Sequence, residues 1–188
     1  QVIDTGGYGI SDIEIGDHGN TRDMTADVER QIDRGLREAD LVLFVCERHI
    51  ASGGDENHDR VEDILRGWVV KHSESKQFDD QTKAKVQLLL ANNFAKAQRY
   101  DLARNEYTTV KNRYPKTPQA IEAEFGIGET FLAQKVYDQA ELVFEKLANS
   151  RELDVVIRAE FLRGVLAHRR GDRDEARAIF RGVLDRVP

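Results

Sequence analysis

The sequence predicts a mainly α-helical protein in which a solenoid of three helix pairs follows a small, partial α/β segment. Nine of the 14 glycines precede residue 68, with short apolar runs between them, a pattern typical of α/β architecture. Beyond residue 83, long stretches without glycine or proline carry apolar residues at helical spacing. We therefore predict an α/β segment over residues 1–70, a linker or capping helix over 71–83, and three helix pairs over 84–188.

Small and aromatic residues recur in the second part at intervals of 36 or 37 residues. Small residues let two helices approach closely, and each helix pair leaves an apolar face that only a neighbouring pair can cover. The recurring alanines are Ala103, Ala140 and Ala176. The aromatics four residues later are Tyr107, Phe144 and Phe180, and the small residues twelve before each alanine are Ala91, Gly128 and Gly164.

This pattern, with Pro115 and Pro188 each twelve residues after an alanine, resembles the tetratricopeptide repeat family over about residues 84–188. The third copy departs from the pattern at Ala167 and Arg173, and tryptophan is missing from all three first helices. The resemblance implies an adaptor or scaffold that binds a protein or peptide partner on a concave face lined by first helices. The segment Tyr114–Pro118 is similar to bacterial envelope-associated members of the family.

Carried over from the resemblance, ten positions are expected to contact a partner. They combine charged and aromatic side chains, which suits a peptide with both apolar and charged anchors. Phe125 and Phe161 have a second interpretation, packing against neighbouring helices. The ten positions are Lys85, Asn92, Lys96, Glu122, Phe125, Glu129, Arg158, Phe161, His168 and Arg169.

The first part of the chain has a resemblance to a second family. It rests on four features in sequence: the string Val2–Gly7, a polar loop, an amphipathic helix over 23–38 and the apolar run Leu41–Cys46. In this order, residues 1–66 resemble the switch II region of a Der-type (double Era-like) GTPase domain of the P-loop class. The resemblance implies that Asp4 holds Mg²⁺ through water and that Gly6 and Gly7 lie against the γ-phosphate of GTP. The alternative function is therefore a fragment of a GTP-binding ribosome-assembly GTPase fused to the repeats.

Two elements of a GTPase are missing from the sequence. There is no Gly-Lys pair to form a phosphate loop, residues 1–70 contain no lysine, and no Asn-Lys-x-Asp follows residue 66. We therefore expect no bound cofactor and no GTPase activity, with GTP and Mg²⁺ as the alternative. Val61–Leu65 marks a short helix, and Trp68–Val70 is either a strand or a linker. A fragment, or an artificial join near 66–75, would explain the change of pattern.

The charge is unevenly distributed within a total of −6. Residues 1–70 hold 16 acidic and 7 basic side chains, a net charge of −9, whereas residues 71–188 hold 18 acidic and 21 basic ones, a net charge of +3. An acidic first part disfavours direct nucleic-acid binding, which relies on clustered lysine and arginine. No apolar run is long enough to span a bilayer. We expect a cytoplasmic protein, with the bacterial periplasm as the alternative, and the oligomeric state stays open.

The remaining candidates for chemistry are acidic residues with histidines in two loops, and one cysteine. Neither loop has the spacing of a compact metal site, so we expect solvated loops. Cys46 lies in an apolar run and is expected to be an inert buried thiol. The loop residues are Asp12, Asp17, His18, Asp23, His49, Asp55, His58 and Asp59.

Overall fold

The computed structural model describes residues 55–186, and all regular secondary structure in this range is α-helical. The α/β segment predicted for residues 1–70 lies outside the described residues except for its last part, which is helical. The helices are α1 (Asp55–His72), α2 (Asp80–Lys96), α3 (Tyr100–Arg113), α4 (Pro118–Ala133), α5 (Tyr137–Ala148), α6 (Leu153–Arg170) and α7 (Arg173–Leu184).

Each helix packs against the next one along the chain, and α2 also packs directly against α4. This arrangement is a helical solenoid, in which contacts are made between neighbours in sequence. The three predicted pairs are α2–α3, α4–α5 and α6–α7. We call α2, α4 and α6 the first helices, and α3, α5 and α7 the second helices.

Helix α1 corrects the prediction made for residues 61–70. The short helix and the strand or linker at Trp68–Val70 are parts of one 18-residue helix. This helix continues to His72, inside the range 66–75 in which a join was considered. Its buried residues from Val61 to His72 lie four, three and four positions apart, which places one stripe of the helix against α2. Trp68 belongs to that stripe and is buried.

The stripe on α1 has the same spacing as the stripe on the second helix α3. Both helices bury a residue at each of four equivalent positions. Helix α1 therefore covers α2 in the way that a second helix covers the next repeat, whereas the range 71–83, predicted as a linker or capping helix, holds the end of α1, a connecting segment and the start of α2. The equivalent residues are Val61, Leu65, Trp68 and His72 on α1, and Ala103, Tyr107 and Val110 on α3 together with Tyr114, the residue directly after α3.

A buried polar link joins α1 to α2. The Asn93 side chain is 1% exposed, and its amide donates to the His58 backbone oxygen at 2.9 Å. Its carbonyl oxygen lies 2.8 Å from the His58 Nδ1 atom, which is therefore the donor. Both groups are buried and each satisfies the other, so the link fixes the position of α1 along α2 without an unpaired polar atom.

The small positions of the repeats have the predicted structural role. Ala103 and Ala140 are completely buried, and a Cβ added at Gly128 or Gly164 would overlap the ring of Phe144 or Phe180. The second-helix aromatic therefore packs directly on the backbone of the first helix. This contact confirms the sequence prediction that small residues mark the closest approach of paired helices.

The turn inside each repeat uses one residue in the left-handed region, at the same place in all three copies. These residues are Gln98 with φ 58°, Lys135 with φ 62° and Gly171 with φ 99°. In each turn the next backbone N–H donates to a carbonyl five residues back, at 2.9 Å. This is the bond of a Schellman C-cap, and only the third copy has the glycine that such a cap favours.

We expect Lys135→Gly to raise the free energy of unfolding by about 0.5–1 kcal/mol, because glycine adopts positive φ without a Cβ penalty. Gly171→Ala should lower it by about 1 kcal/mol for the same reason. Urea denaturation of the two variants measures both changes. Equal destabilisation by both would contradict a left-handed turn at residue 135.

The buried link gives a second prediction. Asn93→Leu should lower the free energy of unfolding by about 1–3 kcal/mol, because His58 keeps a buried donor without its partner. Asn112→Leu on the exposed side of α3 is the matched control and should change it by less than about 0.5 kcal/mol. Thermal and urea denaturation compare the two. Similar stabilities for both variants would show that the link is dispensable.

Candidate functional site

A pocket of about 500 Å³ opens between the first helices of the solenoid. This volume falls within the range of about 300–1,000 Å³ that is typical of ligand pockets. Helix α2 forms one wall and α4 the other, while α3 contributes the floor and α6 one charged side chain. The wall residues include Leu88, Asn92, Ala95 and Lys96 from α2, and Glu122, Gly126, Glu129 and Ala133 from α4.

The ring of Tyr107 forms the apolar floor of the pocket. Tyr107 is 4% exposed, and its hydroxyl donates to the Asn92 side-chain oxygen at 2.7 Å. A Cβ at Gly126 would overlap this ring, so the glycine is what lets the ring lie there. Burial raises the pKa of Tyr107, which keeps the phenol neutral and able to donate to Asn92.

Arg158 of α6 forms the charged end of the pocket. Its Nη1 atom donates to both carboxylate oxygens of Glu122, at 2.7 and 2.8 Å. Its Nη2 atom lies 3.6 Å from a Glu129 oxygen. The guanidinium also lies 4.0 Å above the centroid of the Phe125 ring. The Arg158 guanidinium therefore contacts two carboxylates and one aromatic ring, and these contacts join the third repeat to the second.

Glu129 is the carboxylate with the weaker contact to Arg158. Burial raises the pKa of Glu129, and the Arg158 charge opposes that rise without cancelling it. Because its pKa is raised, ionising Glu129 in the folded state costs more free energy than ionising an exposed glutamate. A change in charge near Glu129 should therefore be visible in its titration.

Lys96 lies on the opposite wall and is exposed. Among the described residues its ammonium makes no hydrogen bond and no ion pair. Lys85 and Arg169, which lie on first helices outside the pocket, also have no side-chain ion pair within residues 55–186. The Lys96 charge helps to lower the pKa of Glu129 and the Lys85 charge that of Asp79, but none of the three cations is held in an ion pair as Arg158 is.

The structure brings five of the ten predicted contact residues together in the pocket, and the others lie elsewhere. Phe125 is 1% exposed, so its second interpretation, packing against neighbouring helices, describes its position. Phe161 is 49% exposed and lies beside the Phe180 ring, with 5.6 Å between centroids. The exposed His168 lies in the last turn of α6. The five pocket residues are Asn92, Lys96, Glu122, Glu129 and Arg158.

Sequence reasoning missed Tyr107 and Gly126 as pocket residues. Tyr107 was assigned only to helix packing, although it also lines the pocket. Gly126 stands where the first and third copies have Leu89 and Leu162. A glycine at a position that is otherwise leucine is the signal that could have located the pocket.

The second candidate loop is not a loop beyond its first residue, because Asp55, His58 and Asp59 belong to α1 and His58 is buried, so the solvated loop expected there is wrong. The nucleotide residues Asp4, Gly6 and Gly7, the first acidic loop and Cys46 lie outside the part of the chain that the structure describes. GTP and Mg²⁺ binding at Asp4, Gly6 and Gly7 stays an alternative prediction, and the GTPase resemblance is not supported by the family comparison. Within residues 55–186 no group of three or more metal-ligating side chains converges.

Comparison with family models matches the tetratricopeptide repeat over residues 85–117 and 158–188. The two matches cover the first and third helix pairs, and they support a tetratricopeptide solenoid in this part of the chain. No curated protein matches the sequence. Among the described helices, none has the length and apolar character that crossing a membrane requires.

The pair Arg158 and Glu129 gives a testable titration. Arg158→Gln should raise the pKa of Glu129 further, because the nearby arginine charge lowers it. Carboxyl-detected NMR of selectively labelled protein measures this pKa. Arg186→Gln is the control, since Arg186 pairs with Glu160 instead. A Glu129 pKa that falls, or that moves equally in both variants, would contradict the geometry of the pocket.

Proposed function

We propose that the solenoid is a protein–protein interaction scaffold that holds a segment of its partner in the pocket between the first helices. The observation that carries this proposal is the pocket itself, with an apolar floor at Tyr107 and charged groups around its rim. Pockets that combine an apolar surface with a few convergent polar groups are the usual sites of recognition.

The pocket walls are built from rigid elements, which favours recognition of one bound conformation. Tyr107 is fixed by its hydrogen bond to Asn92, and Arg158 is fixed between Glu122 and the Phe125 ring. Preorganised side chains lose little conformational entropy when a partner binds. An extended peptide crossing the first helices could place one apolar side chain against Tyr107 and charged ones at the rim.

Filling the pocket tests this proposal. Ala133 is exposed at the end of α4 and lines the pocket, so Ala133→Trp should occupy the space without disturbing the core. We expect this variant to lose at least about tenfold in affinity for its partners, or about 1.4 kcal/mol. The measurement is quantitative capture of partners by the full chain, followed by titration of each captured protein.

The matched control is Ala178→Trp, which places the same side chain on an exposed alanine of the second helix α7. Partners held in the pocket should bind this variant as they bind the wild-type chain. If every captured partner tolerated Ala133→Trp, the pocket would not be the binding site. Loss of binding in Ala178→Trp alone would place the site on the second helices.

A further inference from the structure

We call the surface formed by the first helices α2, α4 and α6 the groove. Whether the groove favours an acidic or a basic partner depends on which of its own charged side chains are already paired. The first helices carry four cations among the predicted contact positions and two carboxylates, a net charge of +2 when histidine is neutral. Both carboxylates contact the same arginine. The cations are Lys85, Lys96, Arg158 and Arg169, and the carboxylates are Glu122 and Glu129.

The two carboxylates are poor anchors for a cationic partner. Glu122 accepts two hydrogen bonds from one Arg158 nitrogen, so a competing cation would have to displace them. Glu129 is held next to the same guanidinium, and burial already disfavours its ionised form. The carboxylate side of the pocket is therefore largely satisfied from within the molecule.

The three cations without an ion pair lie on two of the first helices, and one of them, Lys96, lines the pocket. Lys85 is near the start of α2 and Lys96 near its end, while Arg169 lies near the end of α6. Other basic side chains of α6 contact acidic groups of α5, as Arg163 does with Glu141 and Arg170 with Asp138. Lys85, Lys96 and Arg169 have no carboxylate within ion-pair distance in the described range, and the same is true of cations outside the groove such as Lys116 and Arg181.

We propose, building on the function proposed above, that the groove recognises an acidic segment, with an apolar side chain in the pocket over Tyr107 and flanking carboxylates at Lys96 and Arg169. A peptide of this kind complements the free charges and leaves the Arg158–Glu122 pair intact. Electrostatic complementarity of this type sets partner choice and association rate more than total affinity.

Selection from a library of random linear peptides about nine residues long tests the charge preference directly, since such peptides span roughly 30 Å when extended. The bait is the full chain, used as wild type and as the double variant Lys96→Glu, Arg169→Glu. The matched control is Lys116→Glu, Arg181→Glu, which changes the net charge equally at exposed positions outside the groove.

We expect wild-type and control baits to enrich peptides with an apolar residue beside aspartate or glutamate. The groove variant should lose this enrichment and bind the selected peptides about three- to tenfold more weakly in fluorescence polarisation, the sum of two exposed charge reversals. Raising the salt concentration from about 0.05 M to about 0.5 M should narrow that difference, because surface charges are screened.

Each of the other possible outcomes of the selection would refute a different part of the proposal. Enrichment of basic or uncharged peptides by the wild-type chain would refute the acidic preference and leave the scaffold function standing. Equal loss in the groove variant and the control would refute the assignment to Lys96 and Arg169. If the folded wild-type chain enriched no peptide at all, the proposed function would fail, and the charge preference with it.

Discussion

The stacking of each helix pair on the next is the constraint on which the rest of this structure depends. Phe125 and Phe161 occupy equivalent positions in the second and third repeats, yet Phe125 is 1% exposed and Phe161 49%. The difference arises because α6 and its Arg158 cover Phe125, and no described helix covers Phe161 in the same way. One helix pair cannot bury its own apolar face, so burial is a property of the neighbouring pair.

The same constraint explains the pocket and the position of α1. Arg158 joins two repeats through Glu122 and also forms the charged end of the pocket, so one side chain contributes to stability and to the binding surface. At the other end of the stack, α1 covers α2 in place of a second helix. The His58–Asn93 link is specific to this contact, since the position of Asn93 is Thr130 in the second repeat and Leu166 in the third. A buried polar pair can therefore distinguish one docked position from others.

The repeats were predictable because their packing is local and periodic. The spacing of Ala103, Ala140 and Ala176 was enough to place three helix pairs, since small residues are needed wherever two helices touch. Helix α1 was only partly predictable, because its short apolar stripe was interrupted by Gly67 and followed by the β-branched residues Val69 and Val70. Packing against α2 outweighed those local preferences.

The pocket was predictable only in part. The first-helix pattern identified Asn92, Lys96 and Glu129, whose direction follows from helical periodicity. It did not identify the roles of Tyr107 and Gly126, because those depend on how a second helix packs behind the groove. The pairing of Arg158 with Glu122 could not be predicted either, because it depends on how closely the second and third repeats pack, which the sequence pattern does not give.

Site-specific photo-cross-linking in living cells would test the central claim, that the partner lies between the first helices. A photoreactive amino acid would replace Ala95 on the pocket wall in one chain and Leu142, an exposed residue of the second helix α5, in another. The structure predicts cross-linked partners from position 95 and none from position 142. Cross-links from position 142 alone would contradict the account and move the binding surface to the second helices.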